Sequence, residues 1–300
     1  MFACLMVRRN GPSNGLYTRR MTVARRAATI TVLLAAGLAG CQSADTKKAA
    51  DSNSILAVFS PPTPAQAARW AVDPYDADNR CRGLLLLANA PWGGASVYVE
   101  LYRRALADGD SGVRAVAVRA LALHGTPEDV PLIVKQFNDP DRALRWECAR
   151  ALQRLHNDDA IVPLRDHLDP KKEVEPEIRG SSANALAQYP DRRVFEALIA
   201  GLDDRDLNVA DQCQQALEIL TGQKLGDDPR PWVAWAKGRT DLFADRKVYL
   251  YPIFWREPDW LESIIPFLRP PNEIAAAPVG AIPPPEDAAA AAAAAKTTTK

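Results

Sequence analysis

The sequence predicts an all-α fold, an α-solenoid of about five stacked helical pairs. The main observation is a pattern that recurs four times: an acid, two residues, a branched apolar residue, usually an arginine, and then Ala-Leu. The copies are Asp110-Val113-Arg114-Ala120-Leu121, Asp141-Leu144-Arg145-Ala151-Leu152, Glu175-Ile178-Arg179-Ala185-Leu186 and Asp206-Val209-Ala210-Ala216-Leu217. Their offsets of 31, 34 and 31 residues are typical of a helical repeat array and not of a closed globule.

Each copy has the spacing of an amphipathic helix, which becomes the second helix of a pair. With the branched residue as position zero, positions 0, 4, 7 and 8 fall on one side. Position 4 is always small, which allows a neighbouring helix to approach closely: Ala117, Cys148, Ser182 and Cys213. The acid three residues before position zero is placed to cap the helix. It also precedes the arginine by four residues, which predicts an ion pair within the helix.

A first helix precedes each of these second helices. Its apolar residues keep the same offsets and an i, i+3, i+7 spacing: Val99-Tyr102-Leu106, Val130-Ile133-Phe137, Ile161-Leu164-Leu168 and Phe195-Leu198-Leu202. Turns such as Asn138-Asp139-Pro140 separate the two helices, because proline cannot continue a helix interior. The three extra residues behind the 34-residue offset fall in the turn at 171–176, where an insertion is tolerated.

The repeating unit resembles the HEAT repeat, in particular the short HEAT-like repeats of phycobilisome lyases. The resemblance rests on the acid-x-x-V/L/I-R…A-L segment and covers roughly residues 78–221. It includes a weaker fifth copy at Asp78, Cys81, Arg82, Leu85 and Ala88. The repeated arginines Arg82, Arg114, Arg145 and Arg179 are interpreted as a structural ladder with the acids. Such arrays serve many unrelated partners, so the resemblance predicts a fold more sharply than a function.

The N-terminal 41 residues have the pattern of an export signal. Arg25-Arg26 is followed by a short apolar run and by Leu38-Ala39-Gly40-Cys41, too short a segment for a spanning helix. The last four residues resemble the lipobox of bacterial lipoproteins, which implies cleavage before Cys41 and lipid attachment to it. Gln42 favours the outer membrane, on the periplasmic side of the cell envelope. A signal peptide without lipidation is the alternative, and Met21 is a second possible start.

Removal of residues 1–41 makes the remaining chain acidic. That segment holds six arginines and no acidic residue, so that 31 basic residues face 37 acidic ones and the net charge is about −6. This balance, with no basic face interleaved with aromatic residues, argues against nucleic acid as a partner.

Residues 42–62 read as a flexible tether, since they are rich in Ser, Ala, Asp and Lys. Thr63 and Pro64 have the types preferred at an N-cap and a first helical position, and they open a first helix at 65–72. The solenoid is assigned to residues 63–245.

The C-terminal part is expected to close the array and then leave it. Trp232 and Trp235, three residues apart on one helix face, are assigned to a cap, because the last repeat otherwise exposes its apolar stripe. Residues 246–268 form an aromatic strap broken by prolines, which either folds back over the array or docks a partner or a membrane interface. Residues 269–300, rich in Pro and Ala, are expected to be a disordered tail.

Residues that could carry chemistry have structural explanations. Cys81, Cys148 and Cys213 lie two repeats apart, too far for disulfides, and are expected to be small core residues. The histidines lack the spacing of a metal site. Deoxyhypusine hydroxylase, a HEAT-like enzyme, binds iron through His-Glu dipeptides, and this chain contains none. No catalytic motif is present, so we expect no cofactor and no small-molecule substrate.

A candidate protein-binding surface lies on the second helices. Positions 2, 6 and 9 point away from the core stripe, towards the face on which such arrays dock partners. The residues singled out there are Trp146, Arg150, Gln153 and Arg119. Trp with Arg one turn on is typical of an interface hot spot; alternatively, Trp146 packs between adjacent repeats.

Together these features favour a non-enzymatic, lipid-anchored scaffold or adaptor that binds another protein of the cell envelope. The alternatives are an enzyme of the HEAT-like hydroxylase or phycobilin-lyase kind, and a purely structural envelope component.

Overall fold

The computed structural model describes residues 63–252 and 275–281, and within these residues the regular structure is helical. The α-helices are α1 Pro64–Ala71, α2 Ala77–Ala88, α3 Ser96–Ala105, α4 Ser111–His124, α5 Val130–Gln136, α6 Arg142–Leu152, α7 Ile161–Asp166, α8 Pro176–Leu186, α9 Arg192–Gly201, α10 Leu207–Thr221 and α11 Pro229–Ala236. Short 3-10 turns, Pro127–Asp129 and Asp158–Ala160, lead into α5 and α7. The one β-type pairing in this part of the chain is an isolated parallel bridge between Leu155 and Val279.

Helices α1 to α10 form five consecutive pairs, as the repeat period predicts. The second members, α2, α4, α6, α8 and α10, pack side by side in that order. Each first member packs on its own second helix, and α11 packs on α9. The all-α solenoid is therefore confirmed. None of these helices combines the length and the apolar content needed to cross a bilayer.

The apolar stripes meet in one continuous core between the two helical layers. The branched residues at position zero are fully buried: Val113, Leu144, Ile178 and Val209. All four predicted first-helix triplets are buried as well. Burying one such side chain stabilises the fold by about 1.5–3 kcal/mol. Since no single pair can enclose its own stripe, this stabilisation depends on stacking.

The predicted helix caps are present at three of the four repeats. The carboxylates of Asp110, Asp141 and Asp206 accept hydrogen bonds from backbone N–H groups in the first turn of the helix that follows. Glu175 occupies the cap position of α8 without such a bond. Its carboxylate lies instead 3.5 Å from Nη1 of Arg142 in the preceding pair.

The predicted ion pairs within helices are wrong, because the arginines bind acids of the next repeat. The pairs are Arg80–Asp108 at 2.8 Å, Arg114–Asp139 at 2.7 Å, Arg145–Glu173 at 2.8 Å and Arg179–Asp204 at 2.8 Å. Each acid lies in the turn before the next second helix, so each pair fastens two neighbouring repeats together. We call these four pairs the inter-repeat rungs.

The first repeat carries its rung at Arg80, so the predicted register of this copy is wrong by two residues. Asp76, and not Asp78, caps α2, and Arg82 lies over the ring of Trp70, 4.6 Å from its centroid. Asp76 precedes Arg80 by four residues, as the acid precedes the arginine in the later repeats. Position zero, however, is the polar Asn79 instead of a branched apolar residue, and the sequence pattern therefore did not match in this register.

Each rung is held by the backbone as well as by charge. Nη1 of Arg145, for example, donates to the carbonyl oxygens of Asp139 and Pro140, at 2.9 and 3.0 Å. Its partner Glu173 accepts a hydrogen bond from the N–H of Glu175. Burial alone would raise the pKa of Glu173, but the hydrogen bonds from Arg145 and Glu175 hold this pKa below its ordinary value. The carboxylate therefore stays ionised in the packed interior.

The C-terminal cap lies where the sequence predicts it. Trp232 is fully buried and donates from Nε1 to the carbonyl of Gly226 at 2.8 Å. Trp235 is half-buried, with its ring centroid 6.3 Å from that of Phe195 in α9. The left-handed Gly222, with φ of 71°, ends α10 as expected.

Residues beyond the cap return along the C-terminal ends of the second helices. The N–H of Lys247 donates to the carbonyl oxygen of Ile219 in α10, and the N–H of Tyr251 donates to the carbonyl oxygen of Ala276. Val279 donates to the carbonyl of Arg154, and its own carbonyl accepts from His156 N–H at 2.9 Å.

The prediction of a disordered tail over 269–300 therefore fails for residues 275–281. Their low-complexity composition does not reveal that main-chain hydrogen bonds and the buried Pro278 order them. The assignments for residues 1–62, including the signal peptide and the tether, and for 253–268 of the strap lie outside the described residues.

Candidate protein-binding face

The four residues singled out from sequence lie on α4 and α6 or just beyond, but they differ in exposure. Arg119 is exposed on α4, while Trp146 and Arg150 on α6 are half-buried. Gln153, just after α6, is buried. We call the solvent-facing side of α4 and α6, opposite the first helices, the second-helix face.

Trp146 and Arg150 form a stacked unit at this face. Trp146 packs against the core with one part of its ring, and the Arg150 guanidinium carbon lies 4.7 Å from the ring centroid, within the range of a cation–π interaction. Nη1 of Arg150 lies 3.6 Å from the Glu147 carboxylate. The two sequence interpretations of Trp146 thus describe two sides of one ring, which is partly core and partly surface.

Gln153 does not belong to the candidate surface, and its prediction is wrong. It lies on the flank of the repeat that faces α8, where only 3% of its surface stays exposed. Its Nε2 donates to the carbonyl of Ser181 at 3.0 Å. Lateral packing of consecutive second helices covers this position, which helical periodicity within one repeat cannot reveal.

Arg154, which sequence analysis did not single out, belongs to the face instead. It lies one helical turn after Arg150, and its guanidinium carbon lies 4.8 Å from the ring centroid of Tyr251 in the returning segment. A shallow hollow between α4 and α6 is lined by Arg119, Ala122, Leu123, Glu147, Arg150 and Arg154. We call it the arginine hollow. The i, i+4 spacing of Arg150 and Arg154 was the available sequence signal.

The cysteines have the environment of core residues. Cys148 and Cys213 are fully buried, Cys81 is half-buried, and all three are free thiols. Burial raises the pKa of Cys148 well above its ordinary value and that of Cys213 to about 12. Since the thiolate is the reactive form, neither buried thiol is suited to nucleophilic chemistry.

The histidines bind protein groups of neighbouring repeats. Nε2 of His124 lies 2.6 Å from the carbonyl oxygen of Ala88, at the C-terminal end of α2. Nδ1 of His156 lies 3.0 Å from the Gln188 amide oxygen. Nδ1 of His167 lies 3.1 Å from the Glu173 carboxylate, which belongs to a rung. In residues 63–252 and 275–281, no three His, Cys, Asp or Glu side chains converge as a metal site would require.

Two neighbouring clefts, of about 250 and 300 Å³, lie beside the returning segment. They share Gln188, Pro190 and Arg246. The amide of Gln188 is occupied with the carbonyl of Leu152 and with His156. The linings also include Lys247 in one cleft and His156, Asp158 and Asp191 in the other.

Comparison with known proteins identifies the repeats. Residues 99–175 match the family model of HEAT repeats, and residues 178–204 match that of the PBS lyase HEAT-like repeat. Over these residues the chain is therefore similar to HEAT repeats. No curated protein sequence matches the chain.

Two solved structures, both of engineered or designed proteins, are similar to parts of the chain. The crystal structure of an engineered protein covers 51% of this chain and 77% of its own, at 21% identity and a TM-score of 0.42. A designed armadillo repeat protein covers 61% of this chain and 94% of its own, at 14% identity and a TM-score of 0.43.

Proposed function

We propose that this chain is a non-enzymatic HEAT-repeat scaffold that binds another protein through its second-helix face. The observation that supports this most strongly is the arginine hollow with Trp146 at its side. Arginine and tryptophan dominate binding hot spots, since each combines a large contact area with directed polar groups. The ladder arginines Arg114, Arg145 and Arg179 form rungs between repeats and serve the fold.

A crosslinking pair tests this face against the rest of the solenoid. In the test protein a photoreactive residue replaces Leu123, which lies in the hollow and is 37% exposed. In the control protein it replaces Val162, which lies on first helix α7 and is 54% exposed. Crosslinking of full-length protein in its native membranes should yield one defined partner from position 123 and none from position 162. Arg119→Ala should reduce the yield without shifting the unfolding midpoint. Equal crosslinking from both positions would refute a specific face.

Trp146→Ala with Arg150→Ala is a less clean probe than the sequence suggests. Trp146 packs against the core, so its truncation would reduce both partner binding and the stability of the fold. Truncation of a fully buried tryptophan costs about 3–5 kcal/mol, and the cost at the half-buried Trp146 should be smaller. The exposed Arg119 carries the test because its removal leaves the packing intact.

The proposed site of action is the periplasmic side of the bacterial cell envelope, with the scaffold held by lipid on Cys41 at the outer membrane. The support is the Arg25-Arg26, apolar run and Leu38-Ala39-Gly40-Cys41 series. Metabolic labelling with a radioactive fatty acid should mark the full chain and not its Cys41→Ser variant. Equal membrane fractionation and labelling of the two would exclude this anchor.

The second candidate function is an enzyme of the PBS lyase kind, because the match at residues 178–204 is to that family's repeat. It requires a bound chromophore or metal in stoichiometric amount. Absorption spectra and elemental analysis of protein purified from its native source test this, and a chromophore or metal at one per chain would favour the enzyme.

For a purely structural envelope component, deletion of residues 282–300 should release the protein from cell-wall fractions.

A further inference from the structure

Residues 275–281, which we call the docked segment, lie in a groove whose two edges bind their main chain. On one edge, just after α6, the N–H of His156 donates to the carbonyl oxygen of Val279 at 2.9 Å. On the other edge, the N–H of Tyr251 donates to the carbonyl oxygen of Ala276 at 3.2 Å. Main-chain bonds of this kind hold an extended segment whatever its side chains, and the pockets beside them provide selectivity. We call this seat the docking groove.

The docking groove selects a turn of proline, one further residue and glycine. The N–H of Ala281 donates to the carbonyl oxygen of Pro278 at 3.1 Å, which closes the turn, and Pro278 is buried. Gly280 has φ of +89°, and a Cβ added there would lie 2.6 Å from a side-chain carbon of Pro127. Glycine is therefore needed both for the backbone conformation and for the space. Val279 is 53% exposed, so its side chain contributes less to this selection.

The docked segment does not fill the groove. Beside it, within the described residues, lies the cleft of about 250 Å³. Its lining is mostly apolar and includes Ala187, Leu220, Val248, Ala277 and Ala281. The docked segment thus meets the cleft with two alanines, which have little apolar surface to bury. A larger apolar side chain in the place of Ala277 would bury more, and each added buried carbon strengthens binding.

A buried polar group beside the groove also lacks a partner. Tyr249 lines the same cleft and is 6% exposed. Its hydroxyl finds no hydrogen-bond partner among residues 63–252 and 275–281, and such a group disfavours the arrangement that buries it. The docked segment holds the groove because it belongs to the same chain, which raises its effective concentration. Its own contacts leave room for a better occupant.

We propose that the docking groove binds an extended segment of another protein that carries the proline–x–glycine turn and a larger apolar residue in the place of Ala277. The docked segment is then an internal occupant that the partner displaces. The partner reuses the main-chain bonds of the groove and fills the cleft. This site lies at the C-terminal ends of the second helices, so it is a second docking site that goes beyond the proposed second-helix face.

The test uses the full-length protein and three labelled seven-residue peptides. The first has the sequence of the docked segment, Ala-Ala-Ala-Pro-Val-Gly-Ala. The second, the leucine peptide, carries leucine in the place of Ala277. The third carries this leucine and also alanine in the place of Gly280. In the protein itself, Gly280→Ala opens the groove, because this residue belongs to the docked segment and the groove keeps all of its own residues.

Fluorescence anisotropy should show that the leucine peptide binds the Gly280→Ala chain at least tenfold more tightly than the wild-type chain, because the internal segment competes less. The Gly280→Ala chain should also bind the leucine peptide at least tenfold more tightly than either other peptide. Gly109→Ala, where an added Cβ meets no atom within 4 Å, is the matched control chain. It should bind all three peptides as the wild-type chain does.

Three results would overturn the proposal. Equal affinity of the Gly280→Ala and wild-type chains for the leucine peptide would show that the peptide binds elsewhere. Equal affinity for the leucine peptide and the third peptide would refute the glycine turn, and equal affinity for the first two would refute the larger apolar residue. Light scattering decides between a foreign and a second-copy occupant. A wild-type dimer that separates when the leucine peptide is added would show that the groove holds the docked segment of a second copy and not another protein.

The crosslink from Leu123 tests the second-helix face independently of this groove. If peptide binding fails while that crosslink persists, the docking groove is refuted and the proposed function stands. If the crosslink fails while the leucine peptide binds as expected, the second-helix face is refuted and the docking groove stands.

Discussion

Replacement of Glu173 by glutamine should destabilise the solenoid more than any loss of a surface ion pair. Glu173 is 2% exposed and accepts hydrogen bonds from Nε and Nη2 of Arg145, at 2.8 and 3.0 Å, and from Nδ1 of His167, at 3.1 Å. The Arg145 side chain is 14% exposed. Glutamine keeps the shape but leaves a buried guanidinium without its counter-charge.

The expected cost follows from the desolvation of that guanidinium. Removal of one partner of a buried ion pair costs about 3–5 kcal/mol. Because some water reaches Arg145, we expect a loss of about 3 kcal/mol for Glu173→Gln. The matched control is Asp166→Asn, which removes the exposed pair of Lys172 and Asp166, 56% and 50% exposed. Such surface pairs contribute at most about 1 kcal/mol.

The assay is urea unfolding at pH 7, followed by far-ultraviolet circular dichroism, with the slope against denaturant as a check that the same surface unfolds. Arg145→Met combined with Glu173→Gln should recover part of the loss, since the buried cation is then removed too. The reasoning is refuted if Glu173→Gln costs no more than Asp166→Asn. Additive losses in the double variant would refute it equally.

Two further predictions concern pH and the returning segment. Burial lowers the pKa of His167 in the folded protein, although the nearby Glu173 carboxylate acts in the opposite direction. The folded protein therefore favours neutral His167, and this contribution to stability is fully present at pH values above the unfolded-state pKa of about 6.5. This contribution is lost progressively as pH falls below that value, because the unfolded chain then binds the proton first. His167→Gln should therefore flatten the decline of the urea midpoint as pH falls below about 6.5. Gly280 has φ of +89°, and a Cβ there would lie 2.6 Å from a side-chain carbon of Pro127. Gly280→Ala should therefore release residues 275–281. Hydrogen exchange at the His156 N–H, which donates to the Val279 carbonyl, should then become at least tenfold faster. The control Gly109→Ala, where an added Cβ meets no atom within 4 Å, should leave this exchange rate unchanged.

The candidate site was predictable only in part. Arg119 and Trp146 could be placed on the second-helix face because helical periodicity fixes direction within one repeat. Gln153 could not, because α8 covers it. Arg154 gained its place through packing against Tyr251, more than 90 residues away in sequence. Contacts between repeats thus decided which polar side chains remain at the surface.

The sequence by itself determined the helical pairs, their number, the caps at Asp110, Asp141 and Asp206, and the turn that absorbs the insertion at 171–176. These features depend on residues a few positions apart, where spacing and backbone preference act directly. Only the tertiary structure decided the partner of each ladder arginine, the register of the first repeat at Arg80, and the docking of residues 275–281. The physical reason is that an arginine side chain reaches the next repeat as easily as its own helix, and that main-chain hydrogen bonds leave no trace in composition.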